Sequence, residues 1–341
     1  MAAIHSSGLL CRYIGLAGVN RMRRALNLTL AAMLQLALAG CESAHSPAAD
    51  LAAERKDFQT KIVADTLQPD GAAETPPAGI FRSVHYPSSV GPLVAYVTPD
   101  PQDGKKHPAV LWAHGGYGGI GSFLWQRQAP NNDQSARAFR EAGLVLMAPS
   151  WRGENDNPGR FEMFYGEVDD LLAAREYLAQ LPYVDPARIY LAGHSTGGTM
   201  ALLAAEKGQG FRAVFSLGGV ADLERRLAAG STQAAPPFDQ RSPRELRLRS
   251  AIYFLSGLKS PTFYFEGKDQ WTGQDASRMR APAKQLHAPL QIFLIPGADH
   301  FEIVLPVTRL IAAKIAQDNG STAAIAFSQA EVERAVHPTT H

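Results

Sequence analysis

The feature that most constrains this chain is a short glycine-rich turn between an apolar strand and an uncharged helix. Residues 193–198 read GHSTGG, follow the apolar run 189–192 and precede the uncharged run 199–205. Gly193 and Gly197 allow neighbouring backbone to approach a strained turn where a Cβ atom would not fit. Ser195 is then expected to project from a sheet edge beside a helix N-terminus, which favours developing negative charge. The pattern predicts a serine nucleophile, and the alternative is a glycine-rich turn with an incidental serine.

Short apolar runs alternate with amphipathic stretches from residue 80 onward. We predict strands at residues 81–86, 93–97, 109–113, 145–148, 189–192, 213–217, 262–265 and 290–295. Helical stretches lie between most of them, for example at 167–181, where leucines share one face. This alternation predicts an α/β fold, with a mostly parallel central sheet of about eight strands, helices on both faces, and an antiparallel pair at its start. The arginine-rich stretch 221–260 interrupts the rhythm, and we expect it to form a partial lid over the carboxyl ends of the strands.

A nucleophilic serine requires a general base that is held by a third group. His300 follows the predicted strand 290–295, which places it at the carboxyl edge of the sheet with Ser195. His287 precedes that strand and would lie at the opposite edge, whereas His337 and His341 belong to a polar tail. We therefore predict that His300 is the base.

The third group is expected to be a carboxylate at the same edge. Asp269 follows the predicted strand 262–265 in the run EGKD at 266–269. The order serine, acid, histidine along the chain is the one found with a serine on a strand–turn–helix connection. Asp222 is the alternative acid, and Asp299 is better explained as a turn former. The predicted catalytic residues are Ser195, Asp269 and His300.

The loop after the predicted strand 109–113 can supply hydrogen-bond donors to an oxyanion. It reads HGGYGG at 114–119, and we expect the backbone N–H groups of Gly116, Tyr117 and Thr196 to serve. Residues 116–121 also satisfy the G-x-G-x-x-G pattern of a dinucleotide site. However, the next strand runs into Pro-Ser-Trp rather than an acidic residue. The sequence has no H-E-x-x-H motif, phosphate loop or carboxylate cluster, so we expect no cofactor and no metal.

Residues 1–40 are interpreted as an export leader. A basic cluster at 21–24 precedes an uncharged stretch at 25–40, which is short for a membrane span but suits a signal peptide. We interpret Met22 as the start. The stretch ends in LAGC at 38–41, which resembles the lipobox of bacterial lipoproteins. This resemblance implies that Cys41 carries the lipid and, with Glu42 after it, that the protein is anchored to the outer membrane. The alternative is a buried helix that ends in Gly-Cys by coincidence.

The composition after residue 40 bears on nucleic-acid binding and on the domain boundaries. All 32 acidic residues follow residue 40, whereas four of the 33 lysines and arginines precede it, so the body is mildly acidic. Such a body offers no basic face for nucleic acid. Residues 41–79, rich in Ala, Asp, Glu and Pro, predict a tether with one short helix at 51–67. We place the catalytic domain at 80–317, with the lid at 221–260, and a C-terminal tail at 318–341.

Three further runs resemble a known family. They read APSWRG at 148–153, GEVDD at 166–170 and VDPARI at 184–189, the last leading into GHSTGG. Together they look like the catalytic domain of prolyl oligopeptidase-type serine peptidases, and they also resemble the dienelactone hydrolase and acetyl xylan esterase branches of the α/β-hydrolase superfamily. The resemblance covers about residues 90–317. It implies an α/β-hydrolase fold with Ser195 as nucleophile, Asp269 as acid and His300 as base.

The sequence departs from the large peptidases of that family in two respects. The stretch before residue 90 is too short for their β-propeller, and the glutamates that bind the substrate amino terminus in some exopeptidases are not identified. We therefore expect a lipid-anchored serine hydrolase that cleaves a small ester or a short peptide, with a carboxylesterase at least as well supported as a peptidase. The alternative function is a surface lipoprotein that only binds a ligand. Six aromatic residues are candidates for the pocket, although core packing is the better explanation of each: Tyr117, Trp125, Trp151, Phe161, Phe164 and Tyr165.

Overall fold

The apolar runs form one eight-stranded sheet. The computed structural model describes residues 49–68, 70–230 and 234–338. The strands are β1 (Arg82–Ser88), β2 (Gly91–Val97), β3 (His107–Ala113), β4 (Val145–Pro149), β5 (Val184–His194), β6 (Val214–Leu217), β7 (Thr262–Gly267) and β8 (Leu290–Ile295). Their order across the sheet is β1-β2-β4-β3-β5-β6-β7-β8. The strands β1 and β2 pair antiparallel, as do β2 and β4, and every other pairing is parallel, so the predicted α/β sheet with its antiparallel start is confirmed.

Helices cover both faces of this sheet. They are α1 (Leu51–Lys56), α2 (Arg137–Glu141), α3 (Gly166–Ala179), α4 (Thr196–Lys207), α5 (Leu223–Ala228), α6 (Pro243–Arg247), α7 (Trp271–Ser277), α8 (Arg280–Gln285), α9 (Val304–Gln317) and α10 (Gln329–Val336). Successive residues of a strand point to opposite faces, so Leu111 of β3 joins the core beneath α3 and α4, and Trp112 joins the core beneath α2 and α9. Both side chains are fully buried. In the part of the chain that the structure describes, no helix combines the length and apolarity that a bilayer span requires.

The insertion at 221–260 lies over the carboxyl edge and is tied to the segment that precedes the sheet. It contains α5, α6 and two turns of 3-10 helix. The backbone N–H of Val63 donates to the carbonyl of Pro237 at 2.7 Å, and Glu245 accepts hydrogen bonds from the Thr60 hydroxyl and the Lys61 N–H at 2.8 and 2.9 Å. The insertion is therefore held in place by residues far away in the sequence.

The described part of the predicted tether 41–79 is docked on the body instead of being a free spacer. Helix α1 ends at Lys56, and Leu51 within it is fully buried. The Arg55 guanidinium, only 5% exposed, donates to the carbonyls of Phe164, Tyr165 and Leu248, each at 2.8 Å. These two anchors cover the core that a free tether would leave open. Cys41, Met22 and the rest of the leader lie outside the described residues.

The predicted tail 318–341 is also folded over much of its described length. Helix α10 packs against α9 and β8, and the Phe327 ring lies 4.9 Å from that of Phe263 and 5.2 Å from that of Phe265. Ile325 and Val332 are buried beside it. The polar composition of this segment concealed three well-spaced apolar anchors, whose burial is enough to fix a short helix.

Candidate active site

Ser195 sits at the connection from β5 to α4, as predicted. Its φ of 54° lies in the region that non-glycine residues rarely adopt, and its backbone N–H donates to the Leu217 carbonyl at 2.7 Å. A Cβ on Gly197 would lie 2.0 Å from the Ala113 carbonyl oxygen, so only glycine allows α4 to approach β3 this closely. The surrounding sheet thus holds the serine in a strained turn at its carboxyl edge.

His300 lies on the loop between β8 and α9 and lines the same cavity as Ser195. Its Nδ1 atom is 2.6 Å from the Oε2 atom of Glu266, which is fully buried. The Glu266 carboxylate also accepts from the Thr272 hydroxyl and the Gly267 N–H, both at 2.7 Å. A Cβ on Gly218 would lie 2.4 Å from Glu266 and 2.5 Å from His300, so this glycine leaves the space that the pair occupies. The imidazole therefore has a fixed carboxylate on one nitrogen.

The carboxylate on His300 corrects the prediction of Asp269 as the acid. Strand β7 continues to Gly267 rather than ending at Phe265, so Glu266 is a strand residue on the same face as Tyr264. Asp269 comes three residues later, on the turn before α7, and is exposed. The signal available in the sequence was the odd placement of a glutamate in an otherwise apolar strand beside a histidine-bearing loop.

The other two acids considered for this role serve local structure. Asp222 accepts from the Arg225 N–H at the start of α5 and pairs with Arg278 at 2.9 Å. Asp299 accepts from the N–H groups of Phe301 and Glu302, both at 2.7 Å, which is the turn-forming role expected for it. Neither carboxylate is bonded to His300.

Backbone donors gather beside Ser195. The Thr196 hydroxyl donates to the Gly116 carbonyl at 2.5 Å, which joins the glycine-rich loop to the N-terminus of α4. Gly116 has a φ of 87°. Among the described residues, the N–H groups of Gly116, Tyr117 and Thr196 have no acceptor. All three flank the serine in the cavity and are free to bind an oxyanion.

The far end of the glycine-rich loop is fixed by the segment before β1, which the sequence did not indicate. Asp70 accepts from the Gly119 N–H, and Glu74 accepts from the Ser122 N–H at 2.8 Å. Asn155 accepts from the Ile120 N–H at 2.7 Å. The loop that carries the oxyanion donors is therefore preorganised by side chains from two other segments.

His194, next to the nucleophile, supports the loop that carries His300. It is fully buried, and desolvation lowers its pKa to about 3, so its ring is neutral. Its Nε2 atom is 3.0 Å from the His300 carbonyl oxygen, which can only accept, so Nε2 carries the proton. Its Nδ1 atom then accepts from the Gln134 amide at 3.0 Å. The two imidazole rings lie 4.6 Å apart.

The cavity over Ser195 measures about 480 Å³. Of the six aromatic candidates, it is lined by Tyr117 and Phe164. The other four pack elsewhere: Trp125 on Tyr96, Trp151 on His114, Phe161 on Tyr117, and Tyr165 on Phe58. Trp271 at the start of α7 lines the cavity and was not predicted. The described residues contain no cluster of side chains suited to a metal ion.

The comparisons with known proteins agree with this arrangement. Residues 131–301 match the model of the prolyl oligopeptidase family. An uncharacterized peptidase of Bacillus subtilis (strain 168), YtmA, is 28% identical over 175 residues, which cover 48% of this chain and 67% of that protein.

Two solved structures show the same fold at low identity. A Mycobacterium tuberculosis puromycin-hydrolyzing peptidase is 20% identical with a TM-score of 0.59, over 72% of this chain and 41% of its own. A Pyrobaculum calidifontis esterase is 20% identical with a TM-score of 0.53, over 71% of this chain and 86% of its own. The chain thus spans less than half of the first of these proteins and most of the second. With its family match over half of its length and its strained Ser195 beside His300, the chain belongs to the prolyl oligopeptidase family of serine hydrolases.

Proposed function

We propose that this protein hydrolyses carboxylic esters or amides through an acyl-Ser195 intermediate. The observation that carries the proposal is the 2.6 Å contact between His300 and the buried Glu266, in the same cavity as a serine held at a strained φ. A base oriented by a carboxylate is what activates a serine hydroxyl at neutral pH.

The geometry supports the following sequence of steps. Ser195 Oγ attacks the carbonyl carbon while His300 Nε2 takes its proton, and Glu266 keeps the other proton on Nδ1 and stabilises the imidazolium. The N–H groups of Gly116, Tyr117 and Thr196 bind the oxyanion of the tetrahedral intermediate. As the intermediate collapses, His300 returns the proton to the departing alcohol or amine. Water, deprotonated by His300, then attacks the acyl carbon, and the bond from that carbon to Ser195 Oγ breaks as His300 returns the proton to Oγ, which releases the acid and restores the serine.

Both substrate classes have support. The family match and the B. subtilis relative favour a peptidase. The P. calidifontis esterase favours an ester substrate, because its match covers 86% of that esterase's own chain. The lining of the cavity carries no carboxylate among the described residues. A peptide amino terminus, which is cationic, would find no partner there, and this favours esters or blocked peptides.

The test compares two substrate classes on the chain from Glu42 onward. Short-chain aryl esters are set against aminoacyl and Xaa-Pro anilides, with Ser195→Ala as the control. Ester hydrolysis without anilide cleavage identifies a carboxylesterase, and anilide cleavage that Ser195→Ala abolishes identifies a peptidase. Ligand binding with no turnover of either class would instead support the binding-only alternative.

We further propose that the enzyme is exported and lipid-anchored through Cys41. The support is the basic cluster, the uncharged stretch and the LAGC run of the sequence. Cys41→Ala should move the protein from the membrane fraction to the soluble fraction, and an unchanged distribution would contradict the anchor.

A further inference from the structure

One side chain gives the cavity over Ser195 its charge. The described residues that line it are mostly polar and aromatic, and with His194 neutral, Arg226 of helix α5 is the lining residue with a permanent charge. A guanidinium carries a permanent positive charge. The described lining of the cavity therefore carries one permanent positive charge, on the Arg226 side chain.

Neighbouring arginines take the acidic partners that Arg226 could otherwise use. Arg225 pairs with Asp275 at 3.4 Å, and Arg278 pairs with Asp222 at 2.9 Å and with Asp275 at 3.0 Å. Arg226, by contrast, has no carboxylate partner within the ranges 49–68, 70–230 and 234–338. Its charge is not neutralised locally, although two aspartates lie close to the same helix.

The Arg226 side chain is held in a defined place. Its guanidinium carbon lies 5.0 Å from the centre of the Trp271 ring, a distance at which the cation is attracted to the face of the indole. Stacking of this kind leaves the N–H edge of a guanidinium free for hydrogen bonds. Leu223, one turn earlier on α5, lines the same wall of the cavity. The arginine is thus presented to the cavity with its donors unused.

The charge also lies near the reacting centre. The Arg226 side chain lines the same cavity as Ser195 and Tyr117. Tyr117 is the residue whose backbone N–H flanks Ser195. A cavity of about 480 Å³ suits one small ligand, so a group bound by Arg226 would belong to the same molecule as the scissile bond.

We infer that Arg226 binds a carboxylate carried by the substrate, which makes anionic esters or amides the preferred substrates of this enzyme. A planar carboxylate matches the paired N–H donors of a guanidinium, and the Trp271 ring holds that guanidinium from one face. The inference names the substrate class of the proposed hydrolase and so rests on the proposed function.

The test measures binding, so that its outcome does not depend on turnover. Isothermal titration calorimetry on the full chain carrying Ser195→Ala compares glutaric acid monoanilide with its methyl ester. The free acid carries a negative charge on the acyl side of the amide, and the methyl ester is its neutral partner. A second pair, butyric acid 3-carboxyanilide and its 3-carbamoyl analogue, places the charge on the leaving group. We expect the anion of one pair to bind roughly tenfold or more tightly than its neutral partner.

Matched variants test whether Arg226 is the source of the preference for the anion. Arg226→Gln should reduce the ratio to about one, whereas Arg225→Gln, whose side chain pairs with Asp275 instead, should leave it unchanged. Equal binding within both pairs, or a ratio that survives Arg226→Gln, would overturn the inference. A retained ratio with no ester or anilide turnover by the unmodified chain would instead contradict the proposed function alone.

Discussion

Replacing the buried glutamate beside His300 provides the sharpest test of the catalytic geometry. Glu266→Gln keeps the size of the side chain and removes its charge. The carboxylate now accepts from three donors, at 2.6 Å from His300 Nδ1 and 2.7 Å from both Thr272 and Gly267. An amide has one acceptor oxygen, so it cannot satisfy all three groups in the present geometry.

The expected loss follows from the tautomer of His300. If the amide NH₂ faces Nδ1, the imidazole must move its proton to Nε2, and Nε2 can then no longer accept the proton of Ser195. Exchanging the triad acid for its amide typically lowers kcat by about 10⁴-fold, and we expect about 10³- to 10⁴-fold here, or roughly 4–5.5 kcal/mol in the activation free energy. KM should change little, because the amide does not contact the substrate.

Asp269→Asn is the matched control. Its side chain is exposed on the turn before α7, so kcat should stay within about threefold of the unmodified enzyme. The assay is initial-rate hydrolysis of a saturating aryl ester, with thermal unfolding to show that both variants fold. A loss of 10³-fold in Asp269→Asn together with a near-normal Glu266→Gln would refute the assignment and return the acid to position 269.

Three further changes test other parts of the account. His194→Ala removes the donor to the His300 carbonyl, so kcat should fall about 10- to 100-fold. The acid limb of the pH–rate profile should stay in place, because the pKa of His194 is about 3. A shifted acid limb would contradict the structural role of His194. Glu206 is buried, and neither of its carboxylate oxygens has a hydrogen-bond partner among the described residues. Desolvation raises its pKa in the folded state, so the charge of Glu206 destabilises the fold as pH rises above about 4.5. Glu206→Gln should therefore increase the free energy of unfolding at pH 8, and this increase should shrink as the pH falls toward 4.5. If urea titrations gave the same difference between the two proteins at every pH, the charge of Glu206 would not be its cause. Arg55→Met should lower the free energy of unfolding by about 2–4 kcal/mol, because three buried carbonyls lose their donor; a loss below 0.5 kcal/mol would mean that α1 does not fix the body.

The sequence was informative wherever structure follows from local periodicity. Every predicted strand has a counterpart in the sheet, with its ends shifted by a few residues, because apolar runs bounded by turn residues are a local signal. The position of Ser195 at the end of β5 and that of His300 after β8 followed from the same reasoning, since parallel strands present their carboxyl ends at one edge. The fold class and that edge could therefore be predicted.

What the sequence concealed depends on contacts between distant segments. The role of Glu266 could not be predicted from its own strand, because a charged residue after an apolar run indicates a strand end and its partner His300 lies on the loop after β8. The docking of Arg55 and the burial of Phe327 likewise depend on partners from other parts of the chain. Periodicity carries no information on such pairings, and single anchors in polar segments contribute little to a compositional average.

Covalent labelling of the nucleophile tests the central claim most directly. An aryl fluorophosphonate reacts with an activated serine, and digestion followed by mass spectrometry locates the adduct. We expect one adduct per chain, on the peptide that contains Ser195, with no adduct in Ser195→Ala and labelling slowed at least about 100-fold in Glu266→Gln. An adduct that persists in Ser195→Ala, or a folded chain that takes up no label, would contradict the acyl-serine mechanism.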